Sequence, residues 1–269
     1  MNCKLLIMAA GALLFFVSCQ KKEKLCNGIQ KKTYTNTLFD KIAISSQLQL
    51  KVVQGSSFSV EIEGCTNDLT KMKVEQDGDV LQVWRSGNEK PADPVYVNIT
   101  MPELSAVEIN GAVTGEIGHF ATAIPRVLQV TGTSNITFNG NSAETVVEVA
   151  GAAVLTMAGT GSSYMAHVSG TSRLLNVNYK VDQATIYLTG DAQAHVYTYN
   201  SLVGEISGAS KLFYWGHPPQ VEVTRSGQAT LTEKYAILAN KCSGGTLVLF
   251  RSGLLPIFLI PVFATFAAL

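Results

Sequence analysis

The chain has 269 residues, enough to bury a sizeable core as one repeat domain or two ordinary ones. Its formal net charge is zero, from 20 basic and 20 acidic residues. That balance argues against a nucleic-acid partner, because such binding rests on an excess of Lys and Arg. Charged residues make up 15% of the chain against 46% hydrophobic, and part of that skew sits at the two ends.

Residues 1–18 read as an export signal. Lys4 supplies a short positive region, and Leu5 to Val17 form an apolar stretch too short to span a bilayer as a helix. The string FVSC resembles a bacterial lipobox, which makes Cys19 the residue expected to carry lipid and become the new N-terminus. A non-lipidated signal peptide with a chance cysteine is the alternative. The polar run QKKEKLCNGIQKKTYTN completes a segment, residues 19–37, that reads as lipidated cysteine plus flexible tether. Cys26, Cys65 and Cys242 remain, in a compartment that permits disulfides. At most one pair forms among three, and the sequence does not rank the pairs. No C-x-x-C or His-rich spacing points to a metal, and no cofactor is expected.

From Leu38 to Met101 apolar side chains recur at every second position, as in IAISSQLQLKVVQG and FSVEIEG, the period of a half-buried strand. Asp77-Gly78 between two such runs signals a tight turn. No stretch between Lys31 and Val223 has helical periodicity, so the fold class is all-β.

From Leu104 to Gly227 a repeat takes over. Gly111, Gly132, Gly151, Gly170, Gly190, Gly208 and Gly227 follow one another at steps of 18 to 21 residues, each after an apolar–polar–apolar triplet. The last, in VEVTRSGQA, reads as carrying one extra residue. A fixed period of this size means one unit stacked many times. Two or three short strands per period match one coil of a parallel β-helix with coils of roughly 20 residues. A glycine recurs because the corner requires positive φ. A jelly roll or sandwich also has evenly spaced strands, but would not repeat the same turn chemistry.

The turns NGAV, SGTS and SGAS, the lead-in VNITMPELSAVEINGA and the late ISGASKLFYWGHPPQVEV resemble the GIN domain, the head domain of autotransporter adhesins in Bacteroidetes-type surface and periplasmic lipoproteins. The likeness covers roughly Leu38 to Leu231; its most specific piece is Tyr214, Trp215, Gly216 and Pro218. It implies a right-handed, single-stranded parallel β-helix over residues 38–240, and it implies no catalytic residue. Residues 241–269 form an apolar tail whose last stretch, 254–269, has no charge. That tail reads as a membrane-associated segment, an apolar cap on the coil end, or an accidental extension.

Chemistry is sparse. Glu108, Gln129, Glu148, His167, Tyr187, Glu205 and Glu222 recur just before their turn glycines, and stacked coils would align them on one outer face. The functional reading is a binding stripe centred on Glu148, His167 and Tyr187; the plainer reading is a solvated sheet face. Tyr214 and Trp215, with Phe213, Tyr187, Tyr197 and Tyr199, suggest an aromatic patch for stacking on sugars or a protein. Core packing is the ordinary alternative. No G-x-S-x-G elbow is present, and GTGSS at 159–163 lacks the Lys and helix of a phosphate loop. The expectation is a non-enzymatic adhesin or binding module, an outer-membrane lipoprotein facing the periplasm or the cell surface. Its partners are the membrane through its lipid and a glycan or protein ligand. The alternatives are a polysaccharide-acting β-helix enzyme and a structural envelope protein.

Overall fold

The computed structural model describes residues 26–87 and 89–235, and the backbone of two short strands further on. The signal segment 1–18, Cys19, Cys242 and the apolar stretch 254–269 lie outside the described residues.

The alternating N-terminal runs form β1 (Ile29–Tyr34), β2 (Lys41–Ser46), β3 (Gln49–Gln54), β4 (Ser59–Cys65), β5 (Met72–Asp77), β6 (Val80–Arg85) and β7 (Tyr96–Met101). One helical turn, α1 (Thr66–Leu69), interrupts them. The repeat supplies β8 (Ala106–Gly111), β9 (Thr114–Phe120), β10 (Arg126–Val130), β11 (Asn135–Gly140), β12 (Ser142–Val149), β13 (Val154–Val168), β14 (Arg173–Leu188) and β15 (Gln193–Ile206). It ends with β16 (Lys211–Trp215), β17 (Gln220–Arg225) and β18 (Thr230–Glu233). Two further strands, β19 (Leu238–Lys241) and β20 (Leu247–Phe250), pair with each other.

The result is the parallel β-helix the repeat demands, built from two long faces. Face one stacks the strands that precede each glycine: β6, β2, β8, β10, β12, the second halves of β13, β14 and β15, then β17. Face two stacks the strands that follow: β7, β3, β9, β11, the first halves of β13, β14 and β15, then β16 and β18. Strands β13 to β15 run through the corner opposite the glycines, so each serves both faces.

Alternation decides what is inside. Ile44, Ile109, Val130, Val149, Val168, Leu188 and Ile206 stack rung on rung, each at most 1% exposed. Burying one such side chain contributes about 1.5–3 kcal/mol.

The glycine ladder has a second cause besides positive φ. Gly151 has φ +84°, and a Cβ there would lie 2.7 Å from the carbonyl oxygen of Gly132, one rung below. The residue after each glycine donates its N–H to that same oxygen, as Ala152 does to Gly132 at 2.8 Å. The rungs thus touch through backbone alone. Gly227 sits on Gly208 in the same way, so its coil carries no insertion; Arg225 simply occupies the inward position paired with Ile206.

The coil also starts earlier than Leu104. Strands β2 and β3 form a rung beneath β8 and β9, with Ser46 beneath Gly111 at φ +93°. The chain then leaves through β4 and β5 and returns as β6 and β7 to lay the terminal rung below β2 and β3. The β5–β6 hairpin turns on Gly78 and Asp79, one residue beyond the expected pair.

Antiparallel strands close this end: β5 pairs with β6, β4 with β7, and β1 with β4. The tether expected over 19–37 is therefore shorter, because Ile29–Tyr34 is sheet and Cys26 is bonded to Cys65. A buried ion pair, Arg85 Nη2 to Asp68 Oδ1 at 2.7 Å, joins β6 to α1, and Asp68 also accepts the N–H of Ala92 at 2.9 Å.

Candidate functional site

On face one the stacked register reproduces most of the expected stripe. Glu108 pairs with Gln129, Gln129 with Glu148, Glu148 with His167, His167 with Tyr187, and Tyr187 with Glu205. Glu222 does not belong to it: Thr224 pairs with Glu205, and Glu222 pairs with Val203. Gln129 Nε2 donates to Glu148 Oε2 at 2.7 Å, and the rings of His167 and Tyr187 stack at 4.6 Å and 10°. Beside them runs an apolar line of Val127, Val146 and Met165, followed in register by Thr185 and Val203, with Val127 48% and Met165 39% exposed. This surface offers acceptors and one stacked ring pair on a sheet, without walls.

Face two carries the denser cluster. His195 and Tyr197 on β15 are register partners of Phe213 and Trp215 on β16. His195 lies 5.1 Å from Phe213, edge-on, and 5.6 Å from Trp215; Tyr197 lies 5.1 Å from Tyr199. Strand alternation turns all four outward, half-buried by their neighbours. Lys180 Nζ sits 5.3 Å from the Tyr197 ring and Lys234 Nζ 5.1 Å from the Phe213 ring, within cation–π range. Burial, followed by the charge of Lys234, holds the His195 imidazole below its ordinary range. Gln193 Nε2 lies 2.7 Å from His195 Nε2.

Tyr214 is the correction. It points inward, stacked between Val196 and Glu233, and is 9% exposed. The alternation that puts Phe213 and Trp215 outside puts Tyr214 in the core. Tyr187 is likewise separate from the aromatic cluster, on face one beside His167.

Sequence reasoning missed His195, Lys180 and Lys234 as members of this cluster. A signal for His195 was present. The 18-residue step from Gly190 to Gly208 also separates His195 from Phe213 and Tyr197 from Trp215, so the coil period applies to the second strand as well.

Several other polar groups lie inside the coil. Tyr179 shares a 2.8 Å hydrogen bond with Thr145, and Asn176 donates to the Tyr164 hydroxyl, all inside the coil. Burial raises both tyrosine pKa values, that of Tyr164 well above the phenol range. Arg126, 1% exposed, donates to the carbonyls of Leu104 and Thr122 at 2.6 Å each and so braces a corner. Among the described residues, the one group of three metal-type ligands is Cys26, Cys65 and Asp93, and its two sulfurs are bonded to each other. A shallow depression of about 260 Å³ on face one, lined by Trp84, Gln82, Glu108 and Asn110 among others, is smaller than the usual small-molecule pocket.

Solved structures share this architecture. A "putative adhesin" from Bacteroides fragilis superposes with a TM-score of 0.74 at 16% identity, covering 77% of this chain and 98% of that one. A "putative lipid binding protein" from Parabacteroides distasonis gives 0.63 at 13%, covering 77% and 97%. A "putative adhesin" from Parabacteroides merdae gives 0.59 at 16%, also covering 77% and 97%. At these identities the likeness is one of fold. No curated protein matches the chain. The family model described as "Putative auto-transporter adhesin, head GIN domain" matches residues 38–218. An adhesin is a cell-surface binding protein, and the family description names no reaction. With two thirds of its length matched, the chain belongs to the GIN-domain family of auto-transporter adhesin heads.

Proposed function

We propose that this chain is an exported adhesin-type binding module, held in the outer membrane by a lipid on Cys19, that engages a glycan or protein ligand without catalysis. The observation that carries the reading is the platform of His195, Tyr197, Phe213 and Trp215 on face two. Outward aromatic rings on a rigid sheet present a large apolar area at little ordering cost, the property of a binding surface. Nothing about the platform requires a bond to be broken. The disulfide between Cys26 and Cys65 supports an oxidising, extracytoplasmic address.

Two measurements test the reading. In a Gram-negative host, Cys19→Ala is expected to shift the protein from the membrane fraction to the soluble periplasm and to remove the acyl mass. On a glycan and matrix-protein panel, the full chain is expected to bind a ligand, and Trp215→Ala to weaken that binding by about tenfold or more, the scale of an interface aromatic. Cleavage of a panel glycan that disappears with Glu148→Gln or His167→Ala contradicts the non-catalytic reading. An unchanged acyl mass in Cys19→Ala contradicts the anchor.

A further inference from the structure

Charge is divided between the two faces. From β8 to β17 the outward positions of face one carry Glu108, Glu144, Glu148, Glu205 and Glu222, and no Lys or Arg. From β14 to β18 the outward positions of face two carry Arg173, Lys180, Lys211 and Lys234, and no Asp or Glu. Asp182 and Asp191 sit at the corners, and Glu233 is in the inward register of Tyr214, held by His217 Nδ1 at 2.6 Å and by the Tyr235 hydroxyl at 2.9 Å. Over these rungs face one is therefore acidic and face two basic; the opposite charges Lys41 on β2 and Glu116 on β9 lie on the earlier rungs.

We infer that the basic aromatic face takes an acidic polysaccharide, whose sugar rings carry carboxylate or sulfate groups; the inference rests on the binding role proposed above. The rings of Phe213, Trp215, His195 and Tyr197 occupy two adjacent rungs, with His195 set 78° from Phe213 and 48° from Trp215, so they form a ridged aromatic patch against which the apolar face of a sugar ring packs. The cations frame that patch. Lys180 flanks it on the Tyr197 side and Lys234 on the Phe213 side. Arg173 and Lys211 lie along one margin, each paired in register with Gln193. Stacking orients the chain while the ammonium and guanidinium groups meet its acids, whose charge face one would repel. Single-stranded nucleic acid also joins stacking to charge, but its binders combine stacking residues with a continuous basic groove. Here the cations are four, set around a flat sheet.

The test uses the purified full chain and four probes: oligogalacturonate, chondroitin sulfate, a neutral galactan of matched length, and a single-stranded DNA oligonucleotide. Calorimetry is expected to show binding of one or both acidic glycans at least tenfold tighter than galactan or DNA. The first two probes distinguish carboxylate alone from carboxylate with sulfate. Affinity is expected to fall at least tenfold between about 0.05 and 0.5 M salt as the exposed charges are screened. Lys211→Ala combined with Lys234→Ala is expected to lose about tenfold, Trp215→Ala at least as much, and Trp215→Phe little, whereas Lys31→Ala, on β1 at the closed end, leaves binding unchanged. Equal binding of galactan, abolished by Trp215→Ala, overturns the acidic class while the glycan-binding role stands. Tighter binding of DNA overturns it in favour of a nucleic acid. Failure of both acidic glycans to bind overturns it outright. If the matrix-protein panel is then also negative, the binding role falls with it.

Discussion

Substituting Gly151 by Ala separates the two causes of the glycine ladder. Adding a Cβ at φ +84° forces an L-residue into the left-handed region, which costs about 1–2 kcal/mol. Stiffening the unfolded chain returns about 0.4–1 kcal/mol. The remaining term comes from stacking. The new atom would lie 2.7 Å from Gly132 O, where ordinary contact begins at 3.4 Å, and that oxygen already accepts the N–H of Ala152 at 2.8 Å. Backbone on both rungs must move apart, at the roughly 1–3 kcal/mol of an overpacked site, with a hydrogen bond worth about 1 kcal/mol at risk. The total is about 3 kcal/mol. For a domain of this size that lowers Tm by about 6–12 °C. Gly78→Ala is the control: φ is +60° with no atom within 4 Å of the added Cβ, so only the conformational part applies. Thermal unfolding followed by circular dichroism, with hydrogen exchange at Ala152, reads both variants. Equal Tm values for Gly151→Ala and Gly78→Ala would refute rung-to-rung backbone contact as the reason for the ladder.

Three further outcomes follow from the closed end and from face two. Reducing the Cys26–Cys65 bond, which spans 39 residues, is expected to remove up to about 4 kcal/mol by chain entropy, read from urea denaturation with and without reductant. Arg85→Ala leaves Asp68 charged and buried, at a cost of about 3–5 kcal/mol, whereas replacing both partners with apolar residues of similar size costs much less; a double-mutant cycle measures the difference. Because His195 titrates below its unfolded value, the unfolded state binds more protons as pH falls through the region below about 6.5. Its contribution is therefore fully present above that value and is lost as pH falls toward the folded pKa. His195→Gln is expected to flatten the decline in stability between about pH 7 and pH 5, and an unchanged slope contradicts the assignment.

Period and alternation made the core of the coil legible before any coordinates. The 18- to 21-residue glycine steps define the rungs, and the triplets before them place Val149, Val168 and Leu188 inside. The rung of strands β2 and β3 is hidden in the sequence because Ser46 stands where the ladder has glycine, and a serine at positive φ carries no sequence signal. The return of β6 and β7 beneath them was also hidden, since stacking out of chain order leaves no periodic trace. At the candidate site, the link from Glu148 through His167 to Tyr187 follows from the repeat alone. The aromatic platform followed only halfway: alternation separated Tyr214 from Phe213 and Trp215 without saying which side was core. That depended on the packing of Tyr214 over Val196.

The most direct test of the whole account is hydrogen–deuterium exchange of the full chain with and without saturating oligogalacturonate or chondroitin sulfate, whichever binds the tighter. Binding through face two predicts protection confined to segments 173–180, 193–199, 211–217 and 230–234. Protection centred instead on 146–148, 165–167 and 185–187, or no protection at saturation, would contradict it.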